Sequence, residues 1–231
     1  MAFKKAADCK YYLYISNSKL EMLCQQVASS GKDKKSVEWG VDLRAVKFIR
    51  KSEVEDEPDT DDKLKIILRE LDDAGLVGTI DEPKEYVRGI LPMRWGLFRD
   101  WGRPTEEPPL VYFGGRTETT VFGFGGSSRH VIGNVGASAT GSRSVTPSLI
   151  AHLLDGLDMP RQGWCVDGYV IDDYDAYSAI ELATDHLKGP EQNLEFCAKT
   201  LLQGAIGMKI LLGSPLYVAL ASPYPADLSN Y

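Results

Sequence analysis

The sequence predicts an α+β fold, with helices packed on a mainly antiparallel sheet, in a single domain that spans residues 1–231. Segments of helical and of strand character do not alternate regularly along the chain, which disfavours a doubly wound parallel fold. Two apolar runs at residues 110–113 and 119–124 are joined by residues 114–118, which contain two glycines and are typical of a hairpin. Together with an extended segment at residues 86–98, these runs predict an antiparallel meander.

The N-terminal segment predicts a strand that leads directly into a helix. Residues 10–16 form a run of aromatic and β-branched side chains, which is typical of a strand. Either Asn17 or Ser18 is suited to begin the following helix as its N-cap. The apolar residues of that helix recur at helical spacing, at positions Leu20, Leu23, Cys24 and Val27.

The middle of the chain predicts an acidic loop followed by a helix. Residues 51–62 are rich in carboxylates, and we expect a solvated loop rather than a calcium site because no mid-loop glycine is present. Residues 62–74 carry apolar side chains at helical spacing and are followed by Gly75, which is suited to a helix C-cap. A further helix is expected to begin at Thr146.

The C-terminal third predicts two helices, two strands and a tail. Residues 175–188 and residues 190–203 are expected to be helices that are separated by a Gly-Pro pair. Apolar runs at residues 209–212 and 216–221 predict two closing strands. The polar segment over residues 222–231 is expected to be a C-terminal tail.

Composition and charge disfavour several classes of protein. Hydrophobic residues make up 43% of the chain and charged residues 26%, which is ordinary for a globular protein with a sizeable core. The net charge of −7 argues against a general nucleic-acid binder. No apolar run approaches the roughly 18 residues of a membrane span, and the first residues lack the apolar segment of a signal peptide. We therefore expect a cytoplasmic protein without membrane contact.

The cysteines and histidines do not predict a metal site. The four cysteines are widely separated, form no CxxC pair, and have no histidine at zinc-finger spacing. We therefore expect no metal and no cofactor. Two of the cysteines, Cys24 and Cys197, lie among apolar residues of predicted helices and are expected to be buried thiols. The other two are Cys9 and Cys165.

The segment that most favours ligand binding spans residues 123–133 and is rich in glycine, serine and basic residues. Glycines let backbone N–H groups approach a ligand closely, serine hydroxyls donate hydrogen bonds, and an arginine fork suits phosphate or carboxylate. The segment is not a Walker A loop, because no Gly-Lys-Ser/Thr follows its glycines. It is not the dinucleotide fingerprint GxGxxG either, because Ser128 stands where that motif, counted from Gly123, needs its last glycine. A glycine-rich bulge or hairpin with a surface arginine is the alternative. The candidate ligand-binding residues are Gly125, Gly126, Ser127, Ser128, Arg129 and His130.

Two further segments carry candidate ligand-binding residues. Ser16, Asn17 and Lys19 lie at the predicted strand-to-helix turn, where a helix N-terminus attracts anions. Ordinary capping beside a solvated lysine is the alternative there. Arg94 lies next to Trp95 on a predicted strand and is suited to clamping an anion, although a structural salt bridge explains it equally well.

His130 is the candidate catalytic residue, because histidine is the side chain that titrates near neutral pH. A Ser-His-Asp set from Ser127 or Ser128, His130 and Asp172 lacks the GxSxG elbow of the known hydrolase template. The sequence therefore leaves open whether the protein is an enzyme.

Several motifs occur together along the chain. They are the YYLYIS run of residues 11–16 with Lys19 and Met22-Leu23, GILPMRWG at 89–96, VYFGG at 111–115, GFGGS at 123–127 with HVIG at 130–133, PSL at 147–149 and GSPLYVA at 213–219. Together they resemble an uncharacterised bacterial family, common in actinobacteria, that is labelled a domain of unknown function. The resemblance implies one integrated domain and no established activity. Families of this kind are associated with bacterial conflict or antiviral defence, which is an association and not a mechanism.

These observations predict a cytoplasmic binding or sensor module for a small anionic ligand such as a nucleotide, within a bacterial conflict or defence system. The first alternative is an enzyme that acts on a nucleotide or phosphoester with His130 as its acid or base. The second is a protein-interaction subunit, with Trp95, Trp101 or the tyrosine-rich first strand at its interface. The sequence leaves open whether residues 16–19 and 127–130 are close in space.

Overall fold

The computed structural model describes residues 10–30, 59–98, 110–133 and 173–221 of the chain. Several sequence predictions lie outside these ranges and are neither supported nor corrected. They are the loop over residues 51–58, the helix from Thr146, the thiols Cys9 and Cys165, the candidate residues Trp101 and Asp172, and the tail over residues 222–231.

The described residues form one sheet of seven strands, five of which close into a barrel. The strands are β1 (Tyr11–Ile15), β2 (Val77–Gly78), β3 (Tyr86–Phe98), β4 (Leu110–Arg116), β5 (Thr120–Ser127), β6 (Gln192–Ile206) and β7 (Met208–Leu220). The order around the barrel is β3-β4-β5-β7-β6, and β6 pairs with β3 to close the ring. Outside this ring, β1 pairs with β7 and β2 pairs with β3.

The expected meander is present, because β3, β4 and β5 pair consecutively and antiparallel, but the sheet as a whole is mixed. Within the barrel, β5 and β7 run parallel, whereas the other neighbouring strands are antiparallel. A closed ring of five strands cannot alternate direction all the way round, so at least one neighbouring pair has to be parallel. The short β2 also pairs with β3 in parallel. The coarser prediction of an α+β fold is confirmed.

Three described helices pack on the outer faces of the barrel. They are α1 (Asn17–Ser30), α2 (Thr60–Asp73) and α3 (Asp173–His186). α1 and α2 share a core with β1, β6 and β7, and α3 covers β4, β5 and β7. The barrel interior is filled from all five strands, and its largest side chains are Phe113, Phe122, Phe124 and Phe196. α2 and α3 confirm the helices predicted over residues 62–74 and 175–188, each shifted by about one or two residues.

Residues 190–203 form most of β6, so the helix predicted there is wrong. Leu194, Phe196 and Ala198 face the barrel interior, whereas Cys197 packs on the outer face with α1 and α2. Residues 193–199 alternate between buried and more exposed side chains, except that Cys197 is buried as well, and this period of two is a strand signal. Hydrogen bonds to β3 on one side and to β7 on the other determine the conformation.

The two closing strands predicted at residues 209–212 and 216–221 form one strand, β7, which contains a bulge. In the pairing with β6, Leu216 is the extra residue between Pro215 and Tyr217. A proline is tolerated at such a position because its missing N–H leaves no ladder hydrogen bond unmade. Two carbonyl groups at the bulge accept hydrogen bonds from the start of α1. The Leu216 carbonyl accepts from the Ser16 N–H, and the Pro215 carbonyl accepts from Lys19 Nζ.

The glycine-rich segments lie in strands rather than in turns. Gly114 and Gly115 belong to β4, and the hairpin turn is formed by residues 117–119 instead. Gly125 and Gly126 extend β5, which continues to Ser127 before a short 3-10 turn at Ser128–His130. The strand predicted to end at residue 124 therefore extends three residues further, to Ser127.

Candidate anion-binding site

The N-terminus of α1 and the turn that follows β5 lie beside each other. The backbone N–H of Ile132 donates a hydrogen bond to the Leu13 carbonyl at 2.9 Å, and Tyr14 forms an antiparallel bridge with Val131. The Ser18 Oγ atom lies 3.4 Å from His130 Nε2. The fold thus brings together residues 16–19 and 127–130, whose proximity the sequence had left open.

Lys19 is partly buried between α1 and the bulge of β7. Its Nζ donates hydrogen bonds to Ser214 Oγ at 2.5 Å and to the Pro215 carbonyl at 2.9 Å. Ser214 Oγ in turn donates to the Gly125 carbonyl at 3.2 Å, which links α1, β7 and β5. Burial lowers the pKa of Lys19 to about 8, because desolvation disfavours the charged ammonium. The amine is therefore held in one position by neutral oxygen atoms.

His130 ends the 3-10 turn and is half-buried. Its ring meets the ring of Tyr14 edge to face, with 5.7 Å between the ring centroids. Burial, and then the positive charges of Lys19 and Arg129, lower the pKa of His130 below its usual range. The imidazole is consequently neutral near pH 7, and Nε2 accepts a hydrogen bond when Nδ1 carries the proton.

Arg129 lies on the same turn as His130 and is also half-buried. Its backbone N–H bonds to Ser127 Oγ at 3.4 Å, which caps the turn. Its Nε atom is buried and has no hydrogen-bond partner within the described part of the chain. A buried guanidinium nitrogen without a partner carries an uncompensated desolvation cost.

The three basic side chains Lys19, Arg129 and His130 form a cluster, and no carboxylate of the described residues pairs with them. Lys84 and Lys209, elsewhere in these ranges, bond to backbone carbonyls, whereas several other basic residues have carboxylate partners. Such ion pairs are Arg88 with Asp72, Arg94 with Glu191, Arg116 with Asp185, and Lys199 with Glu85. The cluster is thus an uncompensated positive site in a protein of net charge −7.

Several predicted site residues have structural contacts beside the cluster. The Ser16 N–H bonds to the Leu216 carbonyl at 2.8 Å, and its own carbonyl accepts from the first turn of α1. Asn17 is exposed as the first residue of α1, whereas Ser128 is buried. Gly125 and Gly126 lie inside β5, where the Tyr14 hydroxyl covers Gly126. A direct contact between these residues and a ligand stays a prediction.

Arg94 and Trp95 lie apart from this cluster on β3. The Arg94 guanidinium forms an ion pair with Glu191 at 3.5 Å, which matches the structural alternative for this residue. The ring of Trp95 stacks on Phe113 and packs against the barrel core. Tyr11 of the first strand, by contrast, is 67% exposed. Of these predicted interface residues, Tyr11 is therefore the most accessible.

No group of three His, Cys, Asp or Glu side chains in the described ranges is arranged to hold a metal ion. Cys24 and Cys197 are buried thiols without a disulfide partner, as predicted, although Cys197 lies on a strand and not on a helix. Burial raises the pKa of Cys197 to about 12. Within the same ranges, no helix is long and apolar enough to cross a membrane.

Comparison with protein families matches residues 10–222 to a single family model. The chain belongs to the family of unknown function DUF7019. This membership confirms the resemblance to a domain of unknown function, and the match covers every residue of the candidate site. No curated protein and no solved structure matches the chain significantly.

Sequence reasoning missed three residues of the site in this DUF7019 member. Ser214 and Pro215 hold Lys19, and Tyr14 holds the ring of His130. The Ser-Pro pair inside an apolar run was a usable signal, because proline within a strand often marks a bulge. Nothing local to Tyr14 distinguishes it from the neighbouring tyrosines, since its role depends on contacts across the sheet.

Proposed function

We propose that the protein is a cytoplasmic binding or sensor module for a small anion of the phosphate class, held between α1 and the turn after β5. The observation that carries this proposal is the cluster of Lys19, Arg129 and His130 without a carboxylate partner among the described residues. Partly buried charges that lack a counter-charge are unfavourable, and a bound anion supplies the missing charge.

The chemistry of the cluster favours phosphate over a simple halide. An arginine fork and a lysine ammonium are the common pair of phosphate-binding cations, one by shape and the other as a point charge. The exposed Ser18 hydroxyl, which lies 3.4 Å from His130 Nε2, adds a donor or an acceptor to the cluster. Nucleotides and sugar phosphates belong to this class, and a role in a bacterial conflict or defence system stays a prediction.

The test is thermal unfolding and titration calorimetry of the full chain with inorganic phosphate, mononucleotides, cyclic nucleotides and sugar phosphates. A ligand at about 100 times its Kd should add about 2.7 kcal/mol to the free energy of unfolding. Arg129→Ala should weaken binding about tenfold or more, because a charge-assisted hydrogen bond contributes roughly 1.5–3 kcal/mol. Binding should also weaken with rising salt concentration.

Arg69→Ala is the matched control for Arg129→Ala. Arg69 lies on α2, where its exposed guanidinium is 3.6 Å from Asp73, and its removal changes the net charge by the same amount. This control should bind phosphate as the wild type does. Equal losses of affinity in both variants would assign the effect to overall charge and would contradict a site at Arg129.

A further inference from the structure

We infer that Ser18 and His130 form a nucleophile and base pair, and that the site hydrolyses small phosphate monoesters through a phosphoserine at Ser18. This inference rests on the proposed phosphate site and adds a reaction to it. Its basis is the distance of 3.4 Å between Ser18 Oγ and His130 Nε2, together with the positive charges of Lys19 and Arg129 that act on the His130 ring.

The pair joins two segments that are distant in sequence, and the fold fixes both of them. The Ser16 N–H bonds to Leu216 in β7, which anchors the start of α1. The N–H of Ile132 bonds to Leu13 in β1, which anchors the segment after His130. A nucleophile and base must lie within hydrogen-bond reach, and such contacts are commonly long before substrate binds. The separation of Ser18 and His130 meets this condition.

Four groups among the described residues face the imidazole of His130. They are the Ser18 hydroxyl, the ring of Tyr14, and the positive charges of Lys19 and Arg129. Burial, and then the two cations, lower the pKa of the imidazole and keep it neutral, so Nε2 is able to accept a proton. A bound phosphate monoester brings negative charge to the same place, which stabilises the imidazolium after proton transfer. The negative charge of the substrate phosphate thereby stabilises the imidazolium, as the aspartate carboxylate does in a Ser-His-Asp triad.

The reaction balances without a metal or redox partner. Ser18 Oγ–H transfers its proton to His130 Nε2 as Oγ forms a bond to phosphorus, and the bond from phosphorus to the leaving oxygen breaks. The imidazolium then protonates the leaving alkoxide. In the second step, water gives a proton to Nε2 and attacks phosphorus, and the bond to Ser18 Oγ breaks. Nε2 returns the proton to Ser18 Oγ, and inorganic phosphate leaves.

Lys19 and Arg129 have the role of stabilising negative charge on the phosphoryl oxygens during both steps. Preorganised cations are effective because they need no reorganisation as the charge develops. Lys19 is held by Ser214 and Pro215, so its position does not depend on the substrate. These cations act in binding as well as in catalysis, and their variants do not separate the two functions.

The first measurement uses inorganic phosphate with isotopically labelled oxygen, because formation and hydrolysis of phosphoserine exchanges phosphate oxygen with water. The wild-type chain should catalyse this exchange and should also release nitrophenol from p-nitrophenyl phosphate. Ser18→Ala and His130→Gln should each reduce both rates by about 100-fold or more. Ser18→Ala should still bind inorganic phosphate in calorimetry. Ser178→Ala, which removes a serine hydroxyl from α3, is the control and should keep the wild-type rates.

The pH profile supplies a second readout that a structural role of these residues would not change. The exchange rate should rise as His130 becomes neutral and should fall again near the Lys19 pKa of about 8. Lys19→Arg keeps the positive charge and should remove the alkaline decrease.

The outcomes distinguish this inference from the proposed function. If the chain binds phosphate but shows neither exchange nor nitrophenol release, the reaction is overturned and the binding site stands. If the rates persist in Ser18→Ala, Ser18 is not the nucleophile and the inference is also overturned. If phosphate neither binds nor exchanges, both proposals fail.

Discussion

The hydroxyl oxygen of Tyr14 lies over Gly126, where an added Cβ atom would be 2.4 Å away from it. Real Cβ atoms do not approach another heavy atom this closely, so any side chain at this position would displace the tyrosine. The Tyr14 ring is buried and meets Phe113 and His130 edge to face. Gly126 is therefore required for the packing that joins the barrel core to the candidate site.

Gly126→Ala is expected to lower the free energy of unfolding by about 1–3 kcal/mol, the usual cost of overpacking a core. The displaced Tyr14 ring should also shift His130, so affinity for inorganic phosphate should fall as well. Urea unfolding and phosphate calorimetry measure these two effects. Gly96→Ala is the control, because a Cβ there would lie at an ordinary 3.5 Å from Leu187. Similar unfolding midpoints for the two variants would contradict this account of Gly126.

The pKa of Lys19 predicts a rise in stability on the alkaline side. The folded chain holds this pKa at about 8, whereas the ordinary value of 10.5 applies once the chain unfolds. Between these values the unfolded state binds more protons, so the free energy of unfolding should increase with pH. Lys19→Met should remove this increase in urea titrations carried out across the window. An unchanged slope would show that the Lys19 amine is solvated.

His130 predicts a loss of stability on the acidic side. Burial, Lys19 and Arg129 lower its folded pKa below the ordinary 6.5, so the unfolded state takes up the proton more readily. Stability should therefore fall as the pH decreases below 6.5, until the folded histidine also becomes protonated. His130→Gln should make this loss shallower in thermal unfolding. Addition of phosphate to the wild-type chain should also make the loss of stability below pH 6.5 shallower, because the phosphate charge offsets the two cations beside His130.

The buried thiols predict slow reaction with thiol reagents. Cys197 is fully buried and its pKa is raised to about 12, and burial also raises the pKa of Cys24. Because the thiolate is the reactive form, neither residue should react with dithionitrobenzoate until the chain opens. The measurement uses a variant with Cys9→Ser and Cys165→Ser. Rapid reaction of this variant without denaturant would contradict the packing of β6 under α1 and α2.

The sequence by itself determined the elements whose signals are local. The helices α2 and α3 follow from apolar residues at helical spacing, because one buried stripe produces that period. The strand over Tyr86–Phe98 follows from its extended, aromatic-rich pattern. The basic and hydroxyl residues around Lys19 and Arg129 were recognisable from residue chemistry alone, although their roles remain proposals.

The tertiary structure decided the elements that depend on partners distant in sequence. In β6 the alternation of residues 193–199 is interrupted by the buried Cys197 and by the adjacent Leu201 and Leu202, and pairing with β3 and β7 determines the strand. The closure of five strands imposed the parallel pair of β5 and β7, which no local signal encodes. The meeting of Ser18 with His130 likewise depends on hydrogen bonds between segments more than a hundred residues apart. Local propensity carries no information about such contacts, because they form only when the barrel closes.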